Sequence, residues 1–178
     1  MQTGLVSAQL FGVCKVIEEY IPFIETQIGY VFKKKSLLIQ AFTRRSFAEE
    51  NKGFAHNEVL ETIGDAVIQL YTTIALTKGN ISEISEGKLT SKRQTIVNGE
   101  NLSRHAKRLD IVKKEYFLLG KGDLINNKVY ENTKVQGDLI ESIVGAVALD
   151  CRFSNVKLVK FVPQLLQLDK LGKWWQST

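Results

Sequence analysis

The stretch HNEVLETIGDAVIQL, residues 56–70, is apolar on nearly every side yet holds Glu58, Glu61 and Asp65 with no lysine or arginine among them. At about 100° per residue these three acids fall within roughly 60° of one another and form one narrow stripe. The remaining surface, carrying Val59, Leu60, Ile63, Ala66, Val67, Ile68, Leu70 and Ile74, predicts a helix packed on most sides. Gly64 lacks a side chain, costs about 1 kcal/mol of helix propensity against alanine, and would let another helix approach closely. Asp138 and Glu141 repeat the pattern in a second apolar helix, again followed by a small pair, Gly145 and Ala146. If the two helices cross at these small residues, up to five carboxylates converge. Clustered ionised carboxylates repel one another and are costly to desolvate. With no lysine in either stripe, compensation would come from proton sharing or from a hard divalent cation such as Mg²⁺, which takes oxygen ligands. The alternative is two ordinary amphipathic helices whose acids face water and make local caps and ion pairs.

Helical periodicity runs through most of the chain without sustained strand alternation, so the fold class is all-α. Pro22 is expected to separate a first helix, containing the docked apolar stretch LVSAQLFGVCKVI, from a second segment in which Lys33 to Lys35 mark a helix start or turn. EENKGFAHN reads as a polar loop with Asn57 capping the acidic helix, which runs to about Lys78. Two shorter helices follow, the first interrupted or preceded by a turn at Gly87, the second starting near Asn98 to Asn101. LLGKGDLINNKVYEN reads as an exposed loop, Thr133 opens the second acidic helix, and NVKLVKFVPQLLQ closes the domain with a kink or break at Pro163.

At 178 residues the chain fits one domain. No apolar run reads as long enough to cross a bilayer, and no secretory signal precedes the fold. Cys14 and Cys151 belong to no ligand-spaced motif, which fits a reducing, cytoplasmic setting. A net charge of +5 permits a polyanionic partner without requiring one.

The acidic helix resembles the signature of the ribonuclease III family, close to N-E-R-L-E-F-L-G-D-A-V-L, which stands here as Asn57-Glu58-Val59-Leu60-Glu61-Thr62-Ile63-Gly64-Asp65-Ala66-Val67-Ile68. LLIQAFTRRSF is similar to the family's A-x-T-H-x-S element, and SEGKLTSKRQTIVNGENLSRHAKRLDI to its G-x-L-T-x-x-R-x-x-L-V segment and the L-x-x-x-A-x-x-L that follows. LLGKG and GDLIESIVGAVALD supply the last two blocks in order. The resemblance implies a ribonuclease III-like endonuclease domain over 26–155, with a helical extension at 1–25, a C-terminal helix and tail at 156–178, and a helical bundle forming a two-fold homodimer. It assigns Glu61, Asp65, Asp138 and Glu141 to the metal-binding cluster, Asp65 and Glu141 to catalysis, and Glu58 and Glu86 to supporting acids. The implied cofactor is Mg²⁺, with Mn²⁺ as a substitute. The implied reaction is hydrolysis of double-stranded RNA to 5′-phosphate and 3′-hydroxyl products with short 3′ overhangs, with neither a membrane nor a small-molecule cofactor involved.

Arg44, Val59 and Thr62 depart from the family's usual histidine, arginine and aromatic residue. A threonine cannot bury the area of a phenylalanine, a difference of about 1 to 2 kcal/mol, so other contacts must hold a dimer. The sequence ends at KWWQST without the RNA-binding domain most bacterial relatives carry, which fits a minimal member or a truncated chain. Lys88, Lys92, Arg93, Arg104, Lys107 and Arg108 would line the path of the RNA backbone, or else form a solvated helix face. His105 reads as surface decoration, and Trp174 and Trp175 as hydrophobic cover for the last helix. The rival from another class is a catalytically inactive, RNA-binding or ribosome-associated scaffold on the same fold.

Overall fold

The computed structural model describes residues 17–78, 81–125 and 128–168. The stretch before residue 17, with Cys14, and the tail with Trp174 and Trp175 lie outside the described residues. The described residues are all-α: α1 (17–28), α2 (Lys35–Ala41), α3 (Arg45–Glu50), α4 (Glu58–Thr77), α5 (Glu86–Val97), α6 (Gly99–Arg108), α7 (Lys121–Ile125), α8 (Thr133–Asp150) and α9 (Asn155–Leu165). Strand pairing among them is limited to one isolated bridge, Thr43 with Leu118.

α8 is the axis of the core. Leu139, Ile140, Ile143, Val144 and Val147 are buried around it, each side chain contributing about 1.5 to 3 kcal/mol. α4 crosses it at glycines. A Cβ on Gly64 would sit 1.8 Å from the Glu141 carbonyl oxygen, and one on Gly145 would sit 2.0 Å from that of Leu60. The helices are therefore closer than any side chain would permit. α6 packs on α8 through Leu102 and Ala106, and α9 adds Leu158, Phe161 and Val162. Side-chain oxygens of Ser85, Asn98 and Asn132 cap α5, α6 and α8. Asp150, at the end of α8, accepts from the Tyr30 hydroxyl at 2.8 Å and from the backbone N–H groups of Lys33 and Lys34, which pins the turn after α1.

Several expectations need correction. Pro22 does not end a helix: α1 continues through it on the solvent side, where water can satisfy the carbonyl its ring leaves without a donor. Glu49 and Glu50 belong to α3 rather than to a loop. Asn57 stands before α4 but is αR and makes no side-chain cap; it is buried, with its amide 3.4 Å from the Ser142 hydroxyl. Gly87 lies inside the first turn of α5. The segment 118–132 is not exposed throughout: Leu118 and Leu119 are buried, and Leu118 donates to Phe42 O and accepts from Arg44 N. Pro163 lies inside α9, which ends two residues later.

α4 is packed on fewer sides than its composition suggests. Val59 and Leu70 are 61% and 54% exposed on a face that turns away from α8. By length and composition α4 is also long and apolar enough to cross a membrane, because its few charges are confined to one end. Its inner face, Leu60, Val67, Ile68 and Tyr71, is spent on the core.

Candidate metal centre

The glycine crossing brings the acid-bearing faces of α4 and α8 together. Glu61, Asp138 and Glu141 each present a carboxylate oxygen within 4.8 Å of the others, all half-buried. Asp65 lies outside that group; both its oxygens accept from Gln69 Nε2 at 3.0 Å, although its charge acts on Glu141. Glu58 is exposed and faces Arg45 and His56, each at 3.7 Å. Glu86 is exposed at the start of α5. Of the six predicted acids, the fold gathers three tightly and a fourth electrostatically.

Burial, followed by the charges of Asp65, Asp138 and Glu61, raises Glu141 to a pKa of about 7. Glu61 is raised as well, first by burial and then by Asp138. Glu141 therefore carries a proton a substantial part of the time near neutrality, as expected of like charges that cannot all ionise together.

A lysine does serve the cluster, contrary to the sequence expectation. Lys134, one turn before Asp138, donates to both its carboxylate oxygens at 3.0 and 2.8 Å. The (i, i+4) spacing of Lys134 and Asp138 signals the pair, but Lys134 lies one turn upstream of the acidic stripe of Asp138 and Glu141. Beside the acids opens a groove of about 530 Å³ lined by Asn98, Gly99, Glu100, Thr133, Lys134, Gly137, Asp138 and Glu141. Asn98, Gly99 and Glu100 escaped sequence reasoning because only the packing of α6 on α8 brings them there. Three hard oxygen donors, two of them on the lining of an open groove, suit a cation that keeps several waters.

The six basic candidates do not form one free strip. Arg108 donates to Leu165 O at 2.7 Å and fastens α6 to the end of α9. Arg93 reaches Thr73 Oγ1 on α4 at 3.4 Å. Lys92 is half-buried, and Lys88, Arg104 and Lys107 are exposed on α5 and α6. His105 is not decoration: burial, then Arg108 and Arg104, depress it to about 4, so it is neutral at physiological pH.

A family model described as ribonuclease-III-like matches residues 34–166. The chain is 38% identical over 157 residues to a ribonuclease 3 of Treponema succinifaciens, an alignment covering 84% of this chain and 42% of the relative. A ribonuclease 3 of Roseburia hominis is 37% identical over 155 residues, covering 75% and 42%. The chain thus spans well under half the length of these relatives. Among solved structures, the nuclease domain of ribonuclease III from Campylobacter jejuni superposes with a TM-score of 0.70 at 31% identity, covering 83% of this chain and 96% of that one, and that domain is described as having a flexible region involved in dimer formation.

Proposed function

The chain belongs to the ribonuclease III family, and from that premise we propose that it is a divalent-metal-dependent endoribonuclease that cleaves double-stranded RNA. The observation that carries the reading is the convergence of Glu61, Asp138 and Glu141 within 4.8 Å, with Asp138 and Glu141 lining an open groove. These three residues, with Asp65 acting through its charge on Glu141, would hold Mg²⁺, or Mn²⁺ in its place. The ion supplies Lewis-acid activation of water and of the phosphodiester. The protein's own part is to fix the oxygen spacing through the glycine crossing, to keep the acids partly desolvated, and to leave the groove open to an RNA backbone. Products with 5′-phosphates, 3′-hydroxyls and short 3′ overhangs follow if two such sites act on opposite strands.

Paired cutting needs a second copy. The exposed face of α4, with Val59 and Leu70, is the surface we assign to a two-fold homodimer, Thr62 standing on it where relatives carry an aromatic. Exposed Lys88, Arg104 and Lys107 are proposed to contact phosphates, while Arg93 and Arg108 serve mainly to hold helices together. Glu58 and Glu86 are proposed as outer acids.

The test is incubation of the protein with duplex RNA and Mg²⁺, beside Glu141→Gln. Cleavage by the parent and none by the variant is expected. Equal cleavage by both would remove the site assignment, and RNA binding without cleavage by the parent would favour the scaffold reading.

A further inference from the structure

We infer that Lys134 is a movable counter-ion: it holds the Asp138 carboxylate until a divalent cation arrives, yields it, and turns into the adjoining groove to meet a phosphate of the RNA backbone. This rests on the reading of the acids as a metal centre acting on RNA.

The ammonium occupies the open side of the carboxylate. Lys134 is 76% exposed while Asp138 is 13% exposed, and the two Nζ–O distances of 3.0 and 2.8 Å leave neither oxygen without a cationic partner. A Mg²⁺-sized ion binds carboxylate oxygen at about 2.1 Å. An ion on Asp138 would stand within a few ångströms of the ammonium, and like charges at that range repel strongly where water is partly excluded. One of them must leave. The ion can draw on Glu61 and Glu141 as well, whose oxygens lie within 4.8 Å of those of Asp138; the ammonium cannot satisfy all three.

Lys134 is built to move. Its backbone N–H is fixed by the Asn132 side chain at 2.8 Å, so the start of α8 does not shift, whereas its side chain is a flexible stem reaching into solvent. The groove beside it, about 530 Å³ and lined by Asn98, Gly99, Glu100, Lys134, Asp138 and Glu141, has room for both the ammonium and a phosphate. Beyond Asp138 and Glu141, which the ion would engage, Glu100 is the acid on that lining, so an ammonium displaced from Asp138 has one carboxylate there to compete with an incoming phosphate. The residue type matters. An arginine would grip Asp138 with a rigid two-pronged fork and give it up less readily than a point charge.

The test measures Mn²⁺ binding by calorimetry on the metal-stripped, RNA-free full chain as parent, Lys134→Met, Lys134→Gln and Lys134→Arg. It is paired with KM for a mixed-sequence RNA duplex across a salt series. Met and Gln should bind Mn²⁺ about 3- to 10-fold more tightly than the parent, and Arg more weakly. Their KM for duplex should rise and its logarithmic salt slope flatten by about one phosphate contact. Mn²⁺ affinity in Met and Gln equal to or below that of the parent overturns the inference, as does an unchanged salt slope. If the parent itself binds no Mn²⁺, the metal-centre reading fails as well. If the parent binds and cleaves while the variants match it, only the role of Lys134 falls.

Discussion

Replacing Gly64 with alanine tests whether the crossing of α4 and α8 sets the acid geometry. The added Cβ would lie 1.8 Å from the Glu141 carbonyl oxygen and 2.5 Å from its carbon, where ordinary contact begins near 3.4 Å. Both partners are backbone, so no side chain can swing aside and the helices must part by roughly 1.5 Å. Overpacking of this kind costs about 3 kcal/mol or more, offset by about 1 kcal/mol from the better helix propensity of alanine. The net loss of about 2 to 3 kcal/mol corresponds to a melting temperature lower by about 5 to 10 °C for a chain of this size. The strain falls on the backbone of Glu141 itself, and Glu61 lies one turn before the substituted residue. Because metal sites tolerate only about 0.5 Å of misplacement, Mn²⁺ affinity should fall at least about tenfold. Gly145→Ala, which places a Cβ 2.0 Å from Leu60 O, should behave alike, whereas Gly87→Ala has nothing within 4 Å and should leave both quantities unchanged or slightly improved. Thermal melts and Mn²⁺ calorimetry on the three variants suffice. Gly64→Ala melting within 2 °C of the parent with unchanged affinity would refute the reasoning.

The contribution of Glu141 to metal-free stability should decline as pH rises. Glu141 is raised from 4.5 to about 7, so between those values the folded state binds more protons than the unfolded one; the stability present at low pH is lost as pH passes through about 7. Allowing for solvent screening, the parent should lose about 1 to 2 kcal/mol relative to Glu141→Gln between pH 5.5 and pH 8 in urea unfolding in chelator; His105, depressed to about 4, works in the opposite sense but is common to both proteins. Leu70→Glu, on the exposed face of α4, should convert a dimer to a monomer in sedimentation while leaving Mn²⁺ affinity intact; a monomeric parent at high concentration would discard the proposed interface. Arg108→Ala should lose about 1 to 2 kcal/mol in urea unfolding by leaving Leu165 O without its charged donor. Arg104→Ala should keep its stability and flatten the salt dependence of RNA binding, and the reverse assignment of these two arginines would contradict the structure.

The elements that sequence reasoning located well are those whose signal is local and redundant. α4 and α8 carry sustained apolar periodicity, and their small residues, Gly64 and Gly145, foretold the crossing. What escaped depends on tertiary context. Pro22 is a helix breaker in isolation, yet its exposed side lets α1 pass through it. Asn57 has the composition of a cap, but burial against Ser142 claimed its side chain instead. Leu118 and Leu119 sit among turn residues that predict an exposed loop, although the bridge to Thr43 draws them into the core. Among the site residues, spacing offered Glu58, Glu61, Asp65, Asp138 and Glu141 as one group and the resemblance to ribonuclease III narrowed the metal set to Glu61, Asp65, Asp138 and Glu141, whereas the fold brings Glu61, Asp138 and Glu141 together and turns Asp65 toward Gln69 and Glu58 toward Arg45 and His56, choices that no stripe on a helical wheel can distinguish.

The acids and the glycines form one device. Carboxylates that repel one another would be relieved by letting α4 and α8 drift apart, yet Leu60, Ile140 and Val144 are buried at the crossing and hold it shut. The fold thus resists the direction in which the charges push. What remains adjustable is charge, and two adjustments are visible: a proton favoured on Glu141 and an ammonium laid on Asp138. Both can be given up without moving the backbone. A divalent cation that displaces them meets oxygens already spaced by the glycine contact, so binding need not bring the helices together. Widening the crossing and removing the counter-charge should therefore act oppositely on metal affinity, the first lowering it by spoiling the spacing and the second raising it by removing a competitor. The double variant Gly64→Ala, Lys134→Met separates the two causes, because its affinity should fall between those of the single variants if spacing and competition act independently.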